Sequence, residues 1–209
     1  MHLLHRDDLW IQSKLGIRLS KGGPWAGGGA VLQWYQHRPT HSDIDLFFAN
    51  QEQFNYFKDQ LEAKLRGGPE PSPTDLTWLN PPFDYPFDKH ESENAITYTI
   101  REGVTGNDLG QLQLIRRKFY DGPQECVEDF DISVCQIATD GNRYWFGEHT
   151  MNDIKNRQFR FTKRIGPSSA RRFVKYHAYG FTAIESAYDE LFNADSVNWV
   201  RTVGVDDYA

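Results

Sequence analysis

The run Asp43-Ile44-Asp45-Leu46-Phe47-Phe48 alternates charge with apolar bulk, and a spacer of about a dozen residues separates it from Gly28-Gly29-Ala30. An extended chain sends successive side chains to opposite faces. Asp43 and Asp45 therefore share one face, and Ile44, Leu46 and Phe48 take the other, core-facing side. Two carboxylates one strand pitch apart, beside a glycine turn, suit a divalent cation and phosphate together. Magnesium prefers oxygen donors and takes a few carboxylates plus a substrate's phosphates rather than a full protein cage. Glycine lets backbone approach a phosphate with no Cβ in the way.

Further strands carry the same patterning. Ala95–Ile100 and Gln111–Ile115 alternate, and Asp131–Thr139 reads as a third such strand. The apolar set (Ile96, Tyr98, Ile100, Leu112, Leu114, Ile132, Val134) separates from the polar set (Thr97, Thr99, Gln111, Gln113, Asp131, Ser133). That pattern predicts an α/β (α+β) fold, a mixed and mostly antiparallel sheet with helices on one face and an open polar face on the other. The Asp43–Asp45 pair belongs to the polar face, so a site there follows from patterning alone.

The motifs resemble the DNA polymerase beta-like nucleotidyltransferase superfamily, in particular its small stand-alone phage and bacterial members. The glycine pair, the spacer and Asp-apolar-Asp-apolar carry the resemblance first. Phe130-Asp131-Ile132-Ser133-Val134-Cys135-Gln136-Ile137-Ala138 resembles the strand bearing a third acid, and Asp129 shares its parity. Arg171-Arg172-Phe173-Val174-Lys175-Tyr176 resembles the basic helix that reaches a triphosphate. The resemblance spans about residues 26–182. It implies that Asp43, Asp45 and Asp131 (or Asp129) hold two magnesium ions, or manganese in their place. It also implies that Gly28, Gly29, Ser42, Arg171 and Lys175 bind the nucleotide. The implied reaction moves a nucleoside monophosphate from an NTP to an RNA or tRNA, a protein or a small molecule. A non-catalytic nucleotide sensor or interaction protein, and a toxin with another acceptor, share the same fold.

Elsewhere the chain reads as support. Residues 1–20 suggest a short helix, and residues 21–29 break regular structure without matching a P-loop. Ala30–Gln36 reads as a short helix. Asn50 caps a helix whose core stripe is Phe54, Phe57, Leu61 and Leu65 and which Gly67-Gly68-Pro69 ends. The proline-rich stretch 67–88 reads as a long loop. A helix over about 169–179 carries an apolar stripe of Ala170, Phe173, Val174 and His177, Gly180 ends it, and another helix covers about 182–192. The whole, residues 1–209, reads as one domain with a C-terminal helical part from about 167.

Composition narrows the class. A net charge of −6 argues against a general nucleic-acid binder. Yet Lys155, Arg157, Arg160, Lys163, Arg164, Arg171, Arg172 and Lys175 follow one another with no intervening acid, a candidate phosphate-facing surface. There is no apolar run of roughly 18 residues and no secretory h-region, which predicts no membrane span. Cys126 and Cys135 are too few for a disulfide framework, and Cys135 reads as a packed residue. The seven histidines lack zinc spacing, so no structural zinc is expected. These features predict a reduced protein of the cytoplasm, bacterial or of an infected host.

Overall fold

The computed structural model describes residues 15–38, 43–66, 85–101, 106, 108–163, 165 and 167–193. The expected N-terminal helix, most of the proline-rich loop and Ser42 lie outside them. A seven-stranded sheet forms the centre, in the order β3-β4-β5-β2-β1-β6-β7. Its strands are β1 (Trp25–Gly27), β2 (Ile44–Phe47), β3 (Phe87–Glu91), β4 (Ala95–Arg101), β5 (Asp108–Ile115), β6 (Ile137–Thr139) and β7 (Tyr144–Phe146). Every neighbouring pair is antiparallel except β2 with β5. The mixed, mostly antiparallel sheet expected from the patterning is thus what the chain forms.

The alternation works as read. Ile44, Leu46, Ile96, Tyr98, Ile100, Leu112 and Leu114 are buried on one face. Helices α1 (Gly29–Tyr35) and α2 (Gln51–Leu65) contribute to the same core through Val31, Leu32, Trp34, Phe54, Leu61 and Leu65. Each such side chain contributes roughly 1.5–3 kcal/mol on burial. Asn50 caps α2 as predicted, its Oδ1 accepting from the Gln53 amide at 2.8 Å. On the other face the strand registers set Gly27 beside Asp45, Asp45 beside Gln113, and Gln113 beside Thr97. This polar row crosses the middle of the sheet.

Apart from β1, which forms at Trp25–Gly27 within the expected break at 21–29 because it pairs with both β2 and β6, the chain differs from expectation in four places. Residues 131–139 are not one strand: Ile132 makes an isolated bridge with Phe161, Ser133–Cys135 is a 3₁₀ turn, and only Ile137–Thr139 joins the sheet. The cause is a buried ionic knot. Asp153, on α4 (Thr150–Asn156), is fully buried; it accepts two hydrogen bonds from Arg160, at 2.9 and 2.8 Å, and one from Ser133 Oγ at 2.6 Å. Ser133 thus faces inward, and the period-two reading fails there. Second, helix α5 (Pro167–Ala178) is rotated from the predicted stripe: Val174 is 67% exposed, whereas Tyr176 is buried. Phe173, Tyr176 and His177 pack their rings on Phe159, which sets that rotation. Third, Thr182–Ala183 is a strand, β9, paired in parallel with β8 (Gln158–Phe159), and the last helix, α6, starts only at Glu185. Fourth, β3 claims Phe87 and Asp88 from the expected loop. Gly180 ends α5 as expected, at φ +81°, with Phe181 N–H bonding back to Tyr176 O and Gly180 N–H to His177 O. Helix α3 (Pro123–Glu128), between β5 and β6 in the chain, packs against β1, β6 and β7. Among the described residues no helix is long and apolar enough to cross a membrane.

Removing Asp153 strands Arg160 and Ser133 without their partner. Asp153→Ala is expected to cost about 3 kcal/mol in urea unfolding, the low end for a broken buried pair, because the Arg160 side chain is 27% exposed. A loss below about 1 kcal/mol, the scale of a surface pair, would refute this account.

Candidate functional site

Gly28 makes the turn from β1 into α1 at φ 80° and ψ −147°, a conformation essentially restricted to glycine. A Cβ there would meet Asp45 Oδ2 at 3.6 Å and the Phe130 ring at 3.5 Å, ordinary contact distances. The backbone conformation, rather than space, therefore calls for glycine beside the carboxylate. The Gly28 amide itself donates to Ile137 O at 2.9 Å, so Gly28 contributes shape, while Gly29 opens the helix.

Asp45 lies half-buried within β2, and Asp43 is exposed just before it. Gln113 Nε2, from β5, donates to Asp43 Oδ2 at 2.9 Å. Burial, and next the neighbouring Asp43 charge, push the Asp45 carboxyl up to about 7 against the opposing pull of Lys175 and Arg172. A cleft of about 740 Å³ opens over this point. Gly28, Gly29, Asp45, Asp131, Arg172 and Lys175 all line it, with Gln113, Asp129 and Phe130, whereas Asp43 and Arg171 do not.

Helix α5 presents Ser169, Arg172, Lys175 and Tyr176 to the cleft. These recur every three or four residues, one helical face. Arg171 is exposed on another side, so the same rotation that frees Val174 replaces Arg171 by Arg172 at the cleft. The basic run is not one open surface. Arg160 pairs with Asp153, Lys163 with Asp129 and Arg172 with Asp131, all acids from earlier in the chain. Arg157 instead bonds the carbonyls of Gly180 and Tyr179. Among the described residues no carboxylate lies within ion-pair distance of Lys175, whose Nζ stands 5.8 Å from the Tyr179 ring centre.

The two candidate third acids are both engaged. Asp129 accepts from Tyr120 Oη at 3.0 Å and pairs with Lys163; burial raises its pKa, and these contacts outweigh that and hold it below the usual range. Asp131 pairs with Arg172 Nη1 at 2.5 Å and accepts from Ser169 Oγ at 3.2 Å. Among the described residues no cluster of three or more His, Cys, Asp or Glu is arranged to hold a metal ion. The pair Asp43 and Asp45 does suit a hard divalent cation: two oxygen donors on one strand face, with Asp45 raised by burial and next by the Asp43 charge. Both cysteines are buried, and Cys135 donates to Tyr176 Oη, so neither is poised as a thiolate; burial pushes Cys135 up to about 12. Arg172 and Gln113 went unassigned from sequence. The parity of Gln113 with Asp45 was readable, but the partnership of β5 with β2 was not.

Solved structures similar to this chain in fold include CCA-adding enzymes. The Thermotoga maritima CCA-adding enzyme complexed with tRNA matches with a TM-score of 0.54 at 12% identity, over 94% of this chain and 42% of that one. An apo form of a CCA-adding enzyme matches with a TM-score of 0.51 at 11% identity, over 91% of this chain and 41% of that one. At such identity the likeness establishes a nucleotidyltransferase-like fold, and this chain spans about two-fifths of the enzymes' length. No curated protein matches. The family model of Gad2, the Gabija anti-defense 2 family, matches residues 5–157, and the chain belongs to that family. The matched span ends before α5.

The raised Asp45 carboxyl has a signed consequence. The native group keeps its proton to about pH 7, whereas an unfolded aspartate releases it near 4. The native state thus binds more protons in that window, and this group's contribution to stability falls as pH rises through it. In EDTA, Asp45→Asn is expected to melt near the wild-type temperature at about pH 4 and several degrees higher at about pH 8. A difference that does not grow with pH would contradict the burial.

Proposed function

We propose that the chain is a metal-dependent nucleotidyltransferase that counters the Gabija defence by transferring a nucleoside monophosphate from an NTP to an acceptor in the infected bacterial cytoplasm. One observation carries the reading: Asp45, paired along the strand with Asp43, meets the Gly28 turn in the same cleft as Lys175 and Arg172. Membership of the family supports the anti-defence role, and the likeness in fold supports this class of chemistry. The acceptor is an RNA or tRNA, a protein or a small molecule; the tRNA bound to the Thermotoga enzyme favours RNA.

In this reading Asp43 and Asp45 would hold magnesium or manganese, which would supply positive charge for the phosphates and greater acidity for the attacking hydroxyl. The acceptor's hydroxyl oxygen bonds to the α-phosphorus and gives its proton to water, while the bond to the α,β-bridging oxygen breaks and pyrophosphate leaves. Gln113 fixes one Asp43 oxygen. The Gly28 turn lets backbone come close to the phosphates, and Lys175 and Arg172 meet their charge. The protein's part is positioning and charge stabilisation, as in other phosphoryl transfers. A non-catalytic nucleotide binder is the second reading, favoured by the lack of a three-acid cluster among the described residues.

Incubation with each α-labelled NTP, magnesium and lysate from Gabija-carrying cells distinguishes the two. Label should appear on an acceptor, and Asp43→Asn and Asp45→Asn should each reduce it by at least about 100-fold. NTP binding without any labelled product would select the second reading. Lys175→Ala should weaken ATP binding about tenfold and AMP binding far less, with the difference shrinking in high salt. Equal loss for both nucleotides would make Lys175 structural.

A further inference from the structure

The sequence pattern offers Asp131 as a third metal ligand, but its surroundings have a different chemistry. One carboxylate oxygen lies 2.5 Å from Arg172 Nη1, and the other accepts from Ser169 Oγ at 3.2 Å. A divalent cation at this carboxylate would stand against a guanidinium. Asp131 also lies off the sheet row that carries Asp45 and Gln113. Its backbone is pinned instead to the segment after β8, where Thr162 N–H donates to Asp131 O at 2.9 Å and Thr162 Oγ1 to Phe130 O at 2.8 Å. The carboxylate is therefore a fixed post. Its side chain is 17% exposed, whereas that of Arg172 is 44% exposed and borders the cleft.

We infer that Asp131 is the positioning residue of Arg172, and that Arg172 with Lys175 takes the polyphosphate of the nucleotide. The inference rests on the nucleotidyltransferase reading and assigns the metal to Asp43 and Asp45 without Asp131. A guanidinium has five N–H donors. The one used on Asp131 orients the plane, and the rest remain for phosphate oxygens. Lys175 follows three residues later on the same helical face. An arginine already held in place loses less rotamer freedom when an anion arrives, and its planar fork suits phosphate. Ser169, one turn earlier, ties the same carboxylate to α5, so Asp131 sets both the arginine and the helix that carries Lys175.

The test compares wild type, Asp131→Asn, Arg172→Gln, the double variant and Asp45→Asn. Manganese alone is titrated by EPR, and ATP and AMP are titrated calorimetrically with magnesium. Asp131→Asn and Arg172→Gln should each lower ATP affinity about tenfold and AMP affinity about twofold or less. The double variant should lose no more than Arg172→Gln, because the acid acts through the arginine. Asp131→Asn should bind manganese like wild type, while Asp45→Asn should not. Loss of manganese binding in Asp131→Asn to the level of Asp45→Asn would overturn the inference and leave the proposed activity standing. So would wild-type ATP affinity in Asp131→Asn beside a loss in Arg172→Gln. If Asp131→Asn fails to fold, Arg172→Gln and Arg172→Lys serve: lysine should recover only part of the ATP affinity, and full recovery would overturn the positioning role. A wild-type protein that binds neither manganese nor ATP would remove the enzymatic reading and this inference together.

Discussion

A carboxylate in the middle of a β-sheet is costly unless opposite charge meets it. Asp45 occupies that position, in β2 between β1 and β5. Burial and the adjacent Asp43 disfavour its charge, and Lys175 and Arg172 partly restore it. Much of the remaining architecture serves this confrontation. Gly28 makes the turn beside the carboxylate, Gln113 holds Asp43, and α5 brings the cations across from the C-terminal part of the chain. In the proposed reading, a ligand that combines a cation with phosphate would answer both sides of that confrontation.

The delivery of α5 depends on ionic contacts made elsewhere. Asp153, Arg160 and Ser133 form a buried knot that turns the chain after Asp131 into a 3₁₀ segment. Phe159, directly before Arg160, is the surface on which Phe173, Tyr176 and His177 of α5 pack. The knot thus sets the platform, and the platform sets which residues of α5 reach the cleft. The net charge of −6 and the acid-free basic run are reconciled by the same geometry, since three of those cations pair with acids from upstream.

The chain has a nucleotidyltransferase-like fold and belongs to the Gabija anti-defense 2 family. Their contributions differ. The fold is shared at 11–12% identity with CCA-adding enzymes more than twice this chain's length, so it speaks to architecture. The family match ends at residue 157, before the helix that lines the cleft with Arg172 and Lys175. The chemistry proposed for the cleft therefore stands on Asp43, Asp45, Gly28 and the cations facing them.

Several elements were legible from local rules alone. The alternation in β2, β4 and β5, the Asn50 cap, the α2 stripe and the Gly180 stop all depend on neighbours a few residues apart. Those rules also placed Asp43 and Asp45 on the polar face. They failed where long-range partners chose the conformation. Ser133 left the strand pattern for Asp153, twenty residues on, and Val174 gave up the packed face to Tyr176 because Phe159 lies on that side. The sequence by itself determined the sheet's two faces and the carboxylates on one of them, because side-chain alternation is a property of the strand. Only the tertiary structure decided that Arg172 and not Arg171 reaches the cleft and that Asp131 meets an arginine, because helix rotation and ion pairing are fixed by partners distant in the chain.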